Sequence, residues 1–144
     1  MNLFVTSVYN SPEPSNQATI REKFKIVTWS ANSIHALGKN RALPLSQLLE
    51  DESVNVACII ETLFKPMRKL YINGFSVYRN DRSDSPGGGV AIPIKNSIHH
   101  KAISAPSPSL ETSGVELFLN DEPLIIITCY TPPQTNRNPI RTEH

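Results

Sequence analysis

The sequence predicts an α/β fold with few helices, and three features of the chain support this prediction. Two runs rich in β-branched residues, KIVTW at 25–29 and VNVACII at 54–60, have the composition of strands. The segment between them, ALPLSQLLEDES, places its leucines on one face, which is typical of an amphipathic helix. Short β-rich runs separated by turn residues make up most of the remaining chain, so strands should outnumber helices.

The first three elements also predict the local topology. VNVACII is almost wholly apolar, which indicates a strand that is buried on both faces. Pro44 lacks an N–H and fits only the first turn of a helix, so the helix is predicted over Pro44–Asp51. A strand, a helix and a strand joined by short connections form a βαβ unit, in which the two strands run parallel.

Further strands are predicted downstream, and the two ends of the chain lack any such pattern. The predicted strands are GFSVYRNDR, GGGVAIPI, SIHHKAIS, GVELFLN and PLIIITCY, with Asn120-Asp121-Glu122 as the hairpin turn between the last two. Pro93 interrupts one run and should cost a hydrogen bond between strands unless it lies at an edge or a bulge. Residues 1–24 are predicted to be a mobile leader and 135–144 a frayed tail, which leaves 25–134 as the domain.

Composition narrows the class of protein. The 144 residues are 39% hydrophobic and 19% charged, which is enough apolar material for a packed core. The net charge is +1, so any nucleic-acid binding would rest on a local positive patch. Cys58 and Cys129 lie in apolar runs and are predicted to be buried free thiols, in preference to a disulfide or a reactive thiol. Few cysteines, no signal peptide and no bilayer-length apolar run predict an intracellular protein of the nucleus or cytoplasm without a membrane partner.

Polar residues follow three of the predicted strands. Ser30 and Asn32 come after the first strand, Glu61 directly follows VNVACII, and Tyr130 ends PLIIITCY. Ligands bind beyond the carboxyl ends of neighbouring parallel strands, so Asn32 and Glu61 should face one crevice. A carboxylate and an amide oxygen there suit Mg²⁺, which keeps several waters. The alternative is that Glu61 is an ordinary charged residue at the rim of the sheet or the start of a helix.

The order of several motifs carries a resemblance to a known family. KIVTWSANSI, VNVACIIETLFKP, GFSVYRNDR, GGGVAI and LIIITCYTPP occur in this order over about residues 25–134. Their succession resembles the endonuclease/exonuclease/phosphatase superfamily, in particular the endonuclease domain of LINE-type retrotransposons. The resemblance implies the N-terminal part of a four-layered α/β sandwich, in which two mixed β-sheets pack face to face with helices outside, in truncated form.

The resemblance also implies roles for particular residues in a Mg²⁺-dependent cleavage of phosphodiesters. Glu61 matches the principal metal ligand of the family, and Tyr130 matches the tyrosine that approaches the scissile phosphate. In Trp29-Ser30-Ala31-Asn32, Asn32 matches the second polar position of the family's Trp-Asn-X-Asn motif. Ser30 stands where the family usually has asparagine, and its hydroxyl is shorter. The glycines of GGGVAI match a structural turn and not a phosphate-cradling loop, since no helix with Lys-Ser/Thr follows.

Charged residues near these motifs leave two interpretations open. Arg79, Asp81 and Arg82 in YRNDR either contact a substrate phosphate, for which a guanidinium is well shaped, or form solvated ion pairs. Lys65 and Arg68, just after Glu61, either steer a polyanion or belong to an ordinary charged loop.

Other parts of the family's catalytic set are absent from this sequence. No Gly-Asp-X-Asn and no Ser-Asp-His occurs, and the histidines are predicted to be ordinary surface or half-buried imidazoles. These histidines are His35, His99, His100 and His144. The first hypothesis is therefore a truncated nuclease-family domain with little or no activity, whose uncovered sheet favours self-association. The alternatives are an active nuclease completed by another chain or a longer isoform, and a non-catalytic nucleic-acid or protein binding module. Nucleic acid, DNA more than RNA, is the implied partner.

Overall fold

The computed structural model describes residues 3–9, 24–30, 42–65, 67, 69–83, 87–104, 110–120 and 122–131. Within these ranges the chain forms one helix, α1 (Ala42–Asp51), and eight strands. The strands are β1 (Leu3–Tyr9), β2 (Phe24–Ser30), β3 (Val56–Ile60), β4 (Phe75–Asn80), β5 (Val90–Lys95), β6 (His100–Ile103), β7 (Glu111–Leu119) and β8 (Glu122–Tyr130). The predicted predominance of strands is confirmed.

The strands form two sheets, as the predicted α/β sandwich requires. A five-stranded sheet has the order β1-β2-β3-β5-β4, and a three-stranded sheet has the order β6-β7-β8. The parallel pairing of β2 with β3 is confirmed and places Ser30 opposite Ile60, whereas the other described pairs are antiparallel. The ends of β2 and β3 therefore emerge side by side, directly before Glu61.

The five-stranded sheet is covered on both faces. On one face α1 packs Leu45 and Leu49 against Val27 and Trp29 of β2, because alternate residues of a strand point to the same side. The opposite face forms a second apolar cluster with the three-stranded sheet. This second cluster consists of Val56, Ile92, Ile94, Val115 and Leu117. The described layers are thus a helix, a five-stranded sheet and a three-stranded sheet, and the two sheets pack face to face.

The helix begins earlier than predicted, and β1 corrects the assignment of the N-terminal residues. Helix α1 starts at Ala42, two residues before Pro44, which a helix tolerates because the first turn leaves its N–H groups unused. In place of a mobile leader throughout 1–24, LFVTSVY forms β1 antiparallel to β2. Its β-branched and aromatic residues have high strand propensity. Residues 10–23 and the predicted tail at 135–144 lie outside the described residues.

Pro93 lies inside the sheet and not at its edge. It is a buried residue of β5, which runs between β3 and β4. Pairing with β4 is continuous through Pro93, but pairing with β3 passes from Val56↔Ile94 directly to Ile59↔Ala91. Proline has no N–H to donate, so the interruption on the β3 side is the hydrogen-bond cost that the sequence predicted.

Among the residues that the structure describes, no helix is both long and apolar enough to cross a lipid bilayer.

Candidate active site at the carboxyl ends of β2 and β3

Ser30 and Glu61 meet where the two parallel strands end. The Ser30 hydroxyl donates a hydrogen bond to Oε2 of Glu61 over 3.0 Å. The contact follows from the topology, since Ser30 is paired with Ile60 and Glu61 is the next residue. A serine hydroxyl at this position is therefore long enough to reach the carboxylate.

Tyr130 approaches the same carboxylate from the other sheet. Its hydroxyl donates a 2.6 Å hydrogen bond to Oε1 of Glu61, so each carboxylate oxygen accepts one hydrogen bond. The hydrogen bond to Glu61 is the main reason that the pKa of Tyr130 is raised, and burial adds to the rise. Tyr130 therefore keeps its proton and acts as a hydrogen-bond donor.

The backbone at Glu61 adopts a conformation that non-glycine residues seldom take. Glu61 has φ of 54° and Leu63 has φ of 57°, and a left-handed residue of this kind costs about 1–2 kcal/mol. Backbone hydrogen bonds hold this segment in place: Thr62 N–H donates to Gly89 O at 3.2 Å, and Leu63 N–H donates to Gly88 O at 2.9 Å. Strained backbone held by its surroundings is a common property of functional sites.

Gly87–Gly89 form the tight turn that the sequence predicted. Their φ values are 88°, 66° and 90°, a region that favours glycine. A Cβ on Gly88 would lie 2.5 Å from Oε2 of Glu111, and a Cβ on Gly89 would lie 2.5 Å from Oγ1 of Thr62. The turn thus requires glycine for close packing as well as for its backbone angles.

Glu111 is a site residue that sequence reasoning missed. Its carboxylate accepts a hydrogen bond from Nε of Arg82 through Oε1 and a 3.0 Å hydrogen bond from the backbone N–H of Gly89 through Oε2. Glu111 is also paired directly with Tyr130 across β7 and β8. The predicted hairpin turn at Asn120-Asp121 could have revealed this position. Counting back along both strands from the Leu119↔Glu122 pair places Glu111 opposite Tyr130.

Comparison with known proteins supports the fold. No protein-family model matches the sequence, and no curated protein matches it. Among solved structures, the chain is similar to the crystal structure of AP endonuclease LMAP from Leishmania major, with a TM-score of 0.59 and 20% sequence identity. Over the matched residues the chain therefore shares the fold of this AP endonuclease. The match covers 74% of this chain and 40% of the length of the Leishmania protein.

Arg82 contacts Glu111 at the candidate site, whereas Arg79 and Asp81 contact each other. The guanidinium of Arg82 donates to Glu111, which is paired with Tyr130 across β7 and β8. Arg79 binds Asp81 with Nη2 2.6 Å from Oδ2, and donates to the carbonyl of Lys65 at 3.1 Å. Its guanidinium also lies over the ring of Phe64, 5.4 Å from the ring centre. These contacts stabilise the segment after Glu61, and a substrate contact of Arg79 or Asp81 stays a prediction.

The remaining candidates divide into residues with other contacts and residues outside the description. His99 stacks on Phe118, and His100 shares a 2.6 Å hydrogen bond with Tyr78, in keeping with structural imidazoles. Asn32, Arg68, His35 and His144 lie outside the described residues, so the predicted roles of Asn32 and Arg68 stay predictions.

The two cysteines differ in environment. Both are free, and Cys58 is buried as predicted, where burial raises the pKa of its thiol. Cys129 is exposed and not buried, because the odd-numbered residues near the end of β8 face away from the sandwich core. The prediction of burial is wrong for Cys129.

The donor atoms at the site fit a hard divalent cation. Among the described residues no group of three or more His, Cys, Asp and Glu side chains gathers as a metal cluster. Mg²⁺ needs only one or two protein oxygens and completes its shell with water. The half-buried Glu61 carboxylate, with two hydroxyls beside it, supplies oxygen atoms only, and each carboxylate oxygen retains a lone pair after accepting one hydrogen bond. The carboxylate therefore suits Mg²⁺ as a single-carboxylate site.

Proposed function

We propose that this chain carries part of a metal-dependent phosphodiesterase site, related to retrotransposon endonucleases of the LINE type and with little or no activity on its own. The observation that supports the proposal best is the Glu61 carboxylate, which is fixed by hydroxyl donors from two different sheets at the end of two parallel strands. The fold and the order of the motifs point in the same direction.

Glu61 is the residue that would hold the ion. Hydrogen-bonded partners orient a metal-binding carboxylate and strengthen metal affinity, and Ser30 and Tyr130 take that role here. When bound, Mg²⁺ supplies positive charge that stabilises the negative oxygens of a phosphoryl group during cleavage. The strained backbone of Glu61 directs its side chain toward these two hydroxyls.

Tyr130 and Arg82 would bind and orient the substrate phosphate. Tyr130 keeps its proton because its pKa is raised, and its single hydrogen is directed to Glu61, so a phosphate oxygen would accept that hydrogen only in place of the carboxylate. The Arg82 guanidinium has five N–H donors, of which Nε is directed to Glu111. Two donors of different charge would thus lie beside the ion.

The proposed lack of activity rests on the residues that would activate water. The sequence has no Ser-Asp-His and no Gly-Asp-X-Asn, which the resemblance requires for that step. His99 is stacked on Phe118, and His100 is hydrogen-bonded to Tyr78. The chain also spans only 40% of the length of the similar AP endonuclease.

A second candidate is an active nuclease that is completed by another chain, with DNA more than RNA as substrate. Ile125 and Ile127 on the outward face of β8 are 57% and 46% exposed, and β8 forms an outer strand of the described three-stranded sheet. Exposed apolar residues on an outer strand favour pairing with another chain, which includes a second copy of this one.

Metal binding and plasmid nicking test the proposal together. We expect the purified chain to bind Mn²⁺, a spectroscopic substitute for Mg²⁺, and Glu61→Gln to weaken binding at least about tenfold. Glu116→Gln is the matched control, since it removes the same charge from β7, where Glu116 pairs with Lys101 at 2.9 Å. No Mn²⁺ binding by the unaltered chain would contradict the proposal.

The nicking assay separates the candidates. The proposal predicts no relaxation of supercoiled plasmid above the buffer rate in Mg²⁺. Nicking that is lost in Glu61→Gln and kept in Glu116→Gln would instead support the active nuclease. DNA binding that survives both EDTA and Glu61→Ala would support a non-catalytic binding module.

A further inference from the structure

A closed ring of contacts surrounds the candidate site. From Glu61 the chain continues to Thr62, whose N–H donates to the carbonyl of Gly89. The N–H of Gly89 donates to the carboxylate of Glu111, and Glu111 pairs in register with Tyr130. Tyr130 then donates to Glu61 and completes the ring. Each member depends on the next, because a shift in one contact moves the partner of the following one.

The ring joins two sheets that have no backbone pairing with each other within the described ranges. Glu61 and Gly89 belong to the five-stranded sheet and its connections, whereas Glu111 and Tyr130 belong to the three-stranded sheet. The 2.6 Å hydrogen bond from Tyr130 to Glu61 requires a fixed position of one sheet relative to the other. Apolar packing between the sheets is non-directional, so directional contacts at its margin help to set this position.

Glu111 supplies directional contacts across this boundary. Its two carboxylate oxygens take different donors, Arg82 after β4 and Gly89 before β5, and both donors lie on the side of the five-stranded sheet. The next residue of β7 also accepts a hydrogen bond from the five-stranded sheet: Asn80 Nδ2 donates to the carbonyl of Thr112 at 3.0 Å. The Glu111 side chain is 19% exposed and that of Arg82 is 16% exposed, so water competes weakly for these bonds.

We propose that Glu111 is a positioning residue, which fixes the glycine turn and Arg82 so that Glu61 and Tyr130 meet in the geometry that binds a divalent cation. The part of this proposal that concerns the cation rests on the proposed function. The part that concerns the positions of Glu61 and Tyr130 stands on the ring of contacts alone.

The proposal explains why a carboxylate occupies position 111. Glutamate offers an acceptor to each of two donors, whereas glutamine offers one acceptor oxygen and an NH₂ group. In Glu111→Gln the NH₂ would face either Arg82 Nε or the Gly89 N–H, so one of the two contacts is lost. The substitution keeps size and shape, and its effect is therefore confined to these contacts.

Site-resolved hydrogen exchange tests the positioning role without any metal. We expect Glu111→Gln to accelerate amide exchange at Thr62, Leu63 and Gly89 at least about tenfold, because a hydrogen bond to a charged group is lost. Glu116→Gln is the matched control: Glu116 lies on the same strand, is equally exposed at 19%, and pairs with Lys101. It should leave these three amides unchanged.

The set of amides that exchange faster shows whether Glu111 positions the site or stabilises the whole protein. Unchanged exchange at the three amides, or an equal acceleration in α1 and throughout the sheets, would overturn the proposal. If Glu111→Gln does not fold, Arg82→Lys serves instead, since it keeps the charge but removes the Nε donor. The same three amides should exchange faster, and the same two results would overturn the proposal.

Mn²⁺ affinity then tests the link to the ion. Glu111→Gln should weaken Mn²⁺ binding about tenfold while Glu116→Gln binds like the unaltered chain. Local acceleration of exchange with unaltered Mn²⁺ affinity would overturn the link between Glu111 and the ion. If the unaltered chain binds no Mn²⁺, the proposed function fails, and the exchange experiment still tests the positioning role.

Discussion

Ser30 shows how a short side chain takes a position that an asparagine occupies in the family that the sequence resembles. Its hydroxyl reaches Glu61 because β2 and β3 are parallel neighbours with Ser30 opposite Ile60. A hydroxyl has one donor hydrogen, which is directed to the carboxylate here. Ser30 therefore orients Glu61 and has no further hydrogen to offer a phosphate.

Substitution of Ser30 tests this role. In Ser30→Ala the Glu61 carboxylate keeps only the hydrogen bond from Tyr130, so Mn²⁺ affinity should fall by about threefold to tenfold. Global stability should change by less than about 0.5 kcal/mol, since Ser30 is exposed. Calorimetric titration and urea unfolding measure the two effects. Ser97→Ala, at an exposed turn residue, is the control, and equal Mn²⁺ affinity in both variants would contradict the role.

Among the elements, the glycine turn before β5 needs glycine for its backbone angles and also because it packs closely against the site. Gly88 and Gly74 both have positive φ, of 66° and 79°, but only Gly88 has neighbours where a Cβ would go. Alanine at Gly74 should cost about 1 kcal/mol of unfolding free energy for its backbone alone. Alanine at Gly88 should cost at least about 1 kcal/mol more, because the Cβ would displace Arg82 and Glu111.

Denaturant unfolding of the two alanine variants measures this difference. Loss of the Arg82–Glu111 contact should also weaken Mn²⁺ binding in Gly88→Ala and not in Gly74→Ala. Equal free energies of unfolding for Gly74→Ala and Gly88→Ala would show that the turn is bent without being packed on the site.

Local patterns predicted the elements that build the site. Periodicity marked β2, α1 and β3, and the rule for βαβ units then predicted a crevice shared by Asn32 and Glu61. Asn32 lies outside the described residues, and the structure places Ser30 beside Glu61. The hairpin of β7 and β8 followed from Asn120-Asp121. Strand β1 was not predicted, because the sequence that follows it is polar and contains prolines. The pairing of β1 with β2 is a tertiary contact, which a local sequence pattern does not reveal. Glu111 was missed because the predicted strand GVELFLN begins at Gly114, whereas β7 begins at Glu111.

At the scale of the whole molecule, the two sheets are held together by an apolar core and by polar contacts at its margin. Leu117 is fully buried in this core, and Leu117→Ala should cost about 2–5 kcal/mol of unfolding free energy. Ile125→Ala, on the outward face of the neighbouring strand β8, should cost less than about 1 kcal/mol. Urea unfolding of both variants measures the contrast, and equal losses would contradict the assignment of inner and outer faces.

His100 of β6 is hydrogen-bonded to Tyr78 of the other sheet, and its titration should make the free energy of unfolding depend on pH. Burial, followed by the charge of His99, holds the pKa of His100 below its usual value near 6.5. The unfolded chain then binds the proton more readily, so His100 contributes stability above pH 6.5 that is lost as pH falls through the lower folded pKa. The loss of stability from pH 7 to pH 5 should be smaller in His100→Gln than in the unaltered chain. Equal losses in urea titrations at the two pH values would contradict this.

In the proposed function, the Glu61 carboxylate holds a divalent cation between the two sheets. Paramagnetic broadening of NMR signals by substoichiometric Mn²⁺ locates such an ion directly. We expect the signals of Ser30, Glu61 and Tyr130 to broaden first, and those of Asn73 and Lys95 at the opposite end of the sheet to stay sharp. Glu61→Gln should abolish the broadening. Broadening centred elsewhere, or unchanged in Glu61→Gln, would contradict the proposed function.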